Sequence, residues 1–251
     1  AGKLGVSLGI MPYTFVGYKI ANIEQDGAQT IAKEYNGEGG INRTYLGLGY
    51  NITPNLSIGV EVAYNFGDTE NNSMQFITDD GTGLAIDRGS RQIIANDYSG
   101  FSFNTAVNYS VLFDKKMKLD FAATYSPEVN LKNTQTSTLS TISLSSTGSL
   151  GIVDQITNPS TERDLVIPQK YTFGIGYGKT HQWFLGIEYA GTQNSKLNNI
   201  YLNNAVYEDS HRYSMGGYYT PKYNSFTSYF DKITYRFGAK YENTGLVLNN
   251  Q

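Results

Sequence analysis

Apolar side chains alternate with small or polar ones in run after run along this chain, the pattern of strands with one apolar face. Leu4, Val6, Leu8 and Ile10 alternate with Lys3, Gly5, Ser7 and Gly9. Leu46, Leu48, Tyr50 and Ile52 lead into Thr53-Pro54-Asn55, after which Leu56, Ile58, Val60, Val62 and Tyr64 continue. Phe101, Phe103, Val107, Tyr109, Val111 and Phe113 precede Asp114-Lys115-Lys116, and Met117, Leu119, Phe121, Ala123 and Tyr125 follow. A fourth pair places Tyr171, Phe173, Ile175 and Tyr177 before Lys179-Thr180-His181 and Trp183, Leu185, Ile187 and Tyr189 after it. Ile233, Tyr235, Phe237, Ala239 and Tyr241 form a last run. The pattern predicts about eight crossing strands, all antiparallel.

The opposite faces carry Glu61, Asn104, Asn108, Lys118, Asp120, Glu188, Arg236, Lys240 and Glu242, with many glycines between them. A soluble sandwich can show the same alternation. Two features favour an outer-membrane barrel instead. Aromatic residues sit on the apolar face near the turns and again several residues away, which brackets an apolar band. The tight turns at Pro54, Lys115 and Thr180 recur about every 63 residues and alternate with long polar segments, at 14–40, 67–97, 130–167 and 191–225, as short periplasmic turns alternate with extracellular loops. Asp26-Gly27, flanked by strand-like 18–23 and 30–35, predicts strands that continue beyond the membrane. The Ser/Thr-rich stretch 133–150 is expected to stay exposed and mobile.

Composition sharpens this picture. Apolar residues make up 39% and charged residues 16%, both below the roughly 45–50% and 25% of soluble domains. The 27 glycines and 21 tyrosines fit strands better than helices. With no cysteine, disulfides, thiolate metal sites and cysteine nucleophiles are excluded. A net charge of -3 gives no electrostatic footprint for nucleic acid.

Several stretches resemble the middle section of outer-membrane barrels from Bacteroidota, and through them the FadL-type transporters of long-chain fatty acids and aromatic hydrocarbons. They are Leu8-Gly9-Ile10-Met11-Pro12-Tyr13, Gly37-Glu38-Gly39-Gly40-Ile41-Asn42, Pro168-Gln169-Lys170-Tyr171, Trp183-Phe184-Leu185-Gly186 and Tyr235-Arg236-Phe237-Gly238. The resemblance implies a single barrel domain over 1–251 that is part of a larger, fourteen-stranded barrel. It also implies that an N-terminal plug and strands at both ends lie outside this stretch.

Candidate chemistry is sparse. Gly176-Tyr177-Gly178-Lys179-Thr180 lacks the earlier glycine of a phosphate-binding loop, since Phe173 stands there, and reads as a hairpin. His181 and His211 belong to opposite ends of the barrel, too far apart for a shared metal or dyad. Asp79-Asp80-Gly81 with Asp87 lacks the spacing of a dedicated calcium loop. No enzyme, metal or cofactor is therefore expected. The inward charges either pair into a network along the wall or line a path. The favoured expectation is passive uptake of a hydrophobic or amphipathic small molecule, with Tyr201, Tyr207, Tyr218 and Tyr219 as capture contacts in a loop. The alternative is a sealed structural or accessory barrel of an outer-membrane assembly. Either way the expected partner is outer-membrane lipid and the expected location the bacterial outer membrane.

Overall fold

A computed structural model describes residues 2–27, 29–79, 84–113, 116–144, 149–197, 205–226 and 229–248. Fourteen strands appear among them: β1 Leu4–Asp26, β2 Gln29–Asn51, β3 Leu56–Asp79, β4 Leu84–Phe113, β5 Met117–Ser126, β6 Val129–Leu144, β7 Leu150–Thr157, β8 Thr161–Ile167, β9 Lys170–Lys179, β10 Trp183–Thr192, β11 Ala205–Tyr207, β12 Ser210–Tyr219, β13 Tyr235–Asn243 and β14 Leu246–Leu248. Nine of them form one curled antiparallel wall in the order β1-β2-β3-β4-β5-β9-β10-β12-β13. That is one crossing strand more than the turns suggest. The addition is β12, which lies inside the segment 191–225 that reads as a loop.

The first four strands run 23, 23, 24 and 30 residues, whereas a barrel strand needs only about 9–11 to cross a membrane. The excess stands beyond the bilayer. There the Asp26-Gly27 turn joins β1 to β2, with Gly27 at φ 62, and β4 forks. Its lower part, Thr105–Phe113, pairs with β5. Its upper part, Arg88–Ser99, pairs with β6. Both β7 and β8 then pair with the far side of β6, as one interrupted return strand. The stretch 133–144 is thus an ordered strand and not a mobile loop, with Ser140 and Ile142 buried. Threonine is a good strand residue, and neighbours on both sides satisfy the backbone of β6.

A bend separates wall from blade. At Gly67, φ is 151 and an added methyl group would collide with the Gly40 carbonyl oxygen, so only glycine lets β2 and β3 approach there. Close to this bend the chain buries Ile41, Ala63, Asn65, Ser102 and Leu131.

The register separates two faces. One cross-strand row reads Tyr109, Phe121, Ile175, Ile187, Met215, Ala239. It is apolar and open to the surroundings: Phe121 is 42% and Ile187 58% exposed. Asn104, Asn108, Asp120 and Glu188 take the other face, as the alternation predicts. An apolar face this exposed is a lipid-facing surface.

Candidate functional site

The inner face is built from every second residue, so its rows can be followed from strand to strand. One row runs Ser7, Gly47, Glu61, Asn104 and Ser126. Asn104 Nδ2 donates to Glu61 Oε1 at 2.6 Å, and Ser126 Oγ donates to Asn104 Oδ1 at 2.5 Å. Nearer the turns Asp120 accepts from Ser110 Oγ and lies 2.8 Å from Lys118 Nζ. Asn108 Oδ1 is 3.1 Å from the same Ser110 hydroxyl. Towards the mouth Glu188 meets Arg212 at 3.1 Å and Lys240 meets Glu242 at 2.9 Å. These inward charges are satisfied sideways, along the wall. Arg236 sits in the row of Phe184 and Tyr218 at the turn end.

Between the charged rows lies a strip without side chains. Gly176, Gly186, Gly216 and Gly238 are direct cross-strand neighbours on β9, β10, β12 and β13. The ring of Phe184 lies over this strip, so a methyl group on Gly176 would collide with it, and Tyr218 stacks on Phe184 at 6.2 Å.

A cavity of about 960 Å³ opens against the β1–β5 side of the inner face. Its wall is polar or small, with Gly47, Gly59, Glu61, Asn104 and Thr172. Its mouth is mixed, with Pro127, Val129, Ile167, Pro168 and Leu197 beside Lys170, Thr192 and Asn194. Arg43 also lines it, its guanidinium 3.9 Å from the centre of the Tyr13 ring, and the buried Nε finds no hydrogen-bond partner among the described residues.

The aromatic residues expected to capture solute do not share one loop. Tyr218 and Tyr219 are strand residues of β12. Tyr218 faces inward, and Tyr219 joins the lipid-facing row Trp183, Tyr219, Tyr235 beside the turns. They are drawn into the wall because Tyr213, Met215 and Tyr219 alternate with Arg212, Ser214 and Gly216, which is strand periodicity inside a polar stretch. Tyr207 is in β11, paired with Leu246 of β14. Tyr201 lies outside the described residues, as do Asp80 and Gly81 and the side chains of Asp79 and Asp87. His181 contacts Tyr223 at the turn end, while His211 Nδ1 is 2.9 Å from the Tyr189 hydroxyl at the other end. Sequence reasoning passed over Tyr13, Arg43 and Arg212. Arg43 was within reach, standing in step with Gly47 and Gly49 on the inner face.

Outside the membrane Asp209 holds the turn Asn194–Lys196 to the start of β12. It accepts from the Ser195 hydroxyl at 2.6 Å and from its backbone N–H at 3.2 Å. These bonds hold its carboxyl below the usual range. Lys196 reaches Glu128 at 2.7 Å, and that bond raises the ammonium above its ordinary value.

The wall has counterparts among known structures. The toluene transporter TbuX of Ralstonia pickettii superposes with a TM-score of 0.50 at 16% identity, covering 98% of this chain and 77% of that one. The P. putida toluene transporter TodX gives 0.49 at 13%, covering 98% and 74%. The RagAB peptide transporter gives 0.47 at 15% over 88% of this chain, which spans only 24% of the RagAB chain. At 16% identity the likeness to TbuX is one of fold alone. No curated protein matches the sequence. The family described as BamG matches residues 1–251, the whole of the chain. An antiparallel wall with an open apolar face, a polar inner face and that full-length match place the chain in the BamG family of outer-membrane β-barrel proteins.

Proposed function

We propose that this chain is a structural barrel wall that presents its extramembrane blade to a protein partner in an outer-membrane assembly. One observation carries the reading. Residues 84–100 of β4 lie above its apolar run and extend about 40 Å at ordinary strand rise and tilt, and β6, β7 and β8 build outward from them. Among the described residues β7 pairs on one side only, and its Ile152, Val153 and Ile156 are each at least half exposed. Soluble edges are normally blunted by charge or proline, and a free apolar edge is a template for strand addition. The sideways ion pairs of Asp120 with Lys118, Glu188 with Arg212 and Lys240 with Glu242 also neutralise much of the charge along the inner face. Photo-crosslinkers at Ile152 and Ile156 in the full-length protein, in its own outer membrane, are expected to trap one stoichiometric protein. Free monomer alone at both sites would refute the reading.

A second reading, passive uptake of an amphipathic small molecule, is favoured by the cavity of about 960 Å³, whose mouth combines apolar and polar residues over a polar wall. Uptake that survives Asn104→Trp, a substitution that sets an indole ring into the cavity beside Glu61, would count against it.

A further inference from the structure

The lipid-facing belt is not equally tall around the wall. On β3 the outward residues Leu56, Ile58, Val60, Val62, Tyr64 and Phe66 are apolar over ten residue steps. At about 3.3 Å per residue and a tilt near 40° this is about 25 Å, the height of an ordinary outer-membrane band. On β10, β12 and β13 the belt closes sooner. Trp183, Tyr219 and Tyr235 form one cross-strand row, and Tyr189, Tyr213 and Tyr241 form another, only six residues away. Just two rows lie between, Leu185-Gly217-Phe237 and Ile187-Met215-Ala239. The same conversion gives about 15 Å between the aromatic rows. Beyond the upper row the lipid-facing positions are Gly191, His211 and Asn243, which are not hydrocarbon residues.

We propose that the β10–β13 face is a lipid-interaction surface that compresses the bilayer, holding a thinned annulus beside the β13 edge while β1–β4 stand in bilayer of ordinary thickness. Tyrosine and tryptophan rings settle at the headgroup level, so two in-register rows set the depth at which the bilayer meets this face. A belt shorter than the hydrocarbon is met by local thinning. The occupant is membrane lipid, because the surface lies inside the apolar band of an outer-membrane barrel. The inference rests on the barrel fold and stands whether or not the blade binds a protein.

A depth scan tests it in the full-length protein, with single nitroxide labels read by oxygen against a water-soluble nickel chelate. On β3 a lipid signature is expected from residue 58 through 64. On β10 it is expected at 185 and 187 only, with 183 and 189 at the interface. Labels at 191, 211 and 243 as oxygen-accessible as those at 185 and 187 would overturn the proposal. The double variant His211→Leu/Asn243→Leu adds an apolar row, and the lipid chain length giving the highest folded yield in phosphatidylcholine vesicles is expected to rise. An unchanged optimum, or a parent optimum already in eighteen-carbon lipid, would also overturn it.

Discussion

Replacing Phe121 by arginine tests the register and the membrane face together. Phe121 is the middle outward residue of β5, between Leu119 and Ala123, and its row continues into Ile175 and Ile187, all on the open apolar face. An arginine near the midplane of a barrel's lipid face costs about 2–4 kcal/mol, which lowers the folding equilibrium roughly 30- to 900-fold. The contrasting variant, Asn104→Arg, stays on the inner face. It loses two side-chain hydrogen bonds, each worth about 1 kcal/mol, but sets a guanidinium against the Glu61 carboxylate that Asn104 now contacts at 2.6 Å. Its net cost is expected below about 1 kcal/mol. Denaturant titration of the full-length protein folded into vesicles, followed by heat-modifiable gel mobility, reads both numbers. Should arginine at 121 prove nearly neutral and arginine at 104 cost more than 2 kcal/mol, the register is slipped by one residue and the faces are exchanged.

Other consequences follow from the bend and from the extramembrane contacts. Gly67→Ala should lower stability by about 1–3 kcal/mol, whereas Gly17→Ala, with open space at the added methyl group, should be neutral by the same unfolding assay. Because hydrogen bonds depress the Asp209 carboxyl, its contribution is present above the unfolded carboxylate range and lost as pH falls through the lower folded value. Hydrogen exchange at Ser195 N–H, corrected for intrinsic pH dependence, should therefore lose protection in acid, and Asp209→Asn should flatten that profile. Glu24→Gln, which breaks an exposed ion pair with Lys33 at 2.7 Å, should change stability by less than about 1 kcal/mol.

The wall was legible wherever one face is apolar and its opposite polar. Phe121 against Asp120, and Ile187 against Glu188, gave face and register at once, because lipid on one side and water or paired charge on the other leave no alternative. Asp26-Gly27 located the outer hairpin for a similar local reason: a turn residue that tolerates positive φ. The blade was harder to read. Thr134 to Ser143 contains only Leu139 and Ile142 as apolar residues, and nothing local says that its backbone finds β4 on one side and β7 on the other. In β12 the paired Gly216 and Gly217 interrupt the apolar alternation that Tyr213, Met215 and Tyr219 would otherwise show. At the mouth, the meeting of Tyr13 with Arg43 depends on the β1–β2 register, and the apolar residues there depend on how the base of β6 and the end of β8 come to lie over the wall.

The direction of the strands bears on closure. Each neighbour along β1-β2-β3-β4-β5-β9-β10-β12-β13 is antiparallel to the last. With nine members, β1 and β13 point the same way. If these two met directly, the seam would be parallel and the strand number odd, whereas bacterial single-chain barrels are even-numbered and antiparallel throughout. Each has one neighbour among the described residues, so in residues 1–251 taken alone Leu4–Pro12 and Tyr235–Asn243 would present backbone groups to hydrocarbon, where an unsatisfied group costs several kcal/mol. Even a few such groups per edge outweigh the about 5–15 kcal/mol that holds a typical folded chain together. An odd number of further antiparallel crossings removes both edges and restores the even count. Residues 1–251 on their own, refolded in detergent, are therefore expected to aggregate or form mixed multimers. A heat-modifiable, protease-resistant monomer of that polypeptide would mean that β1 and β13 close in parallel, and the parity argument would fail.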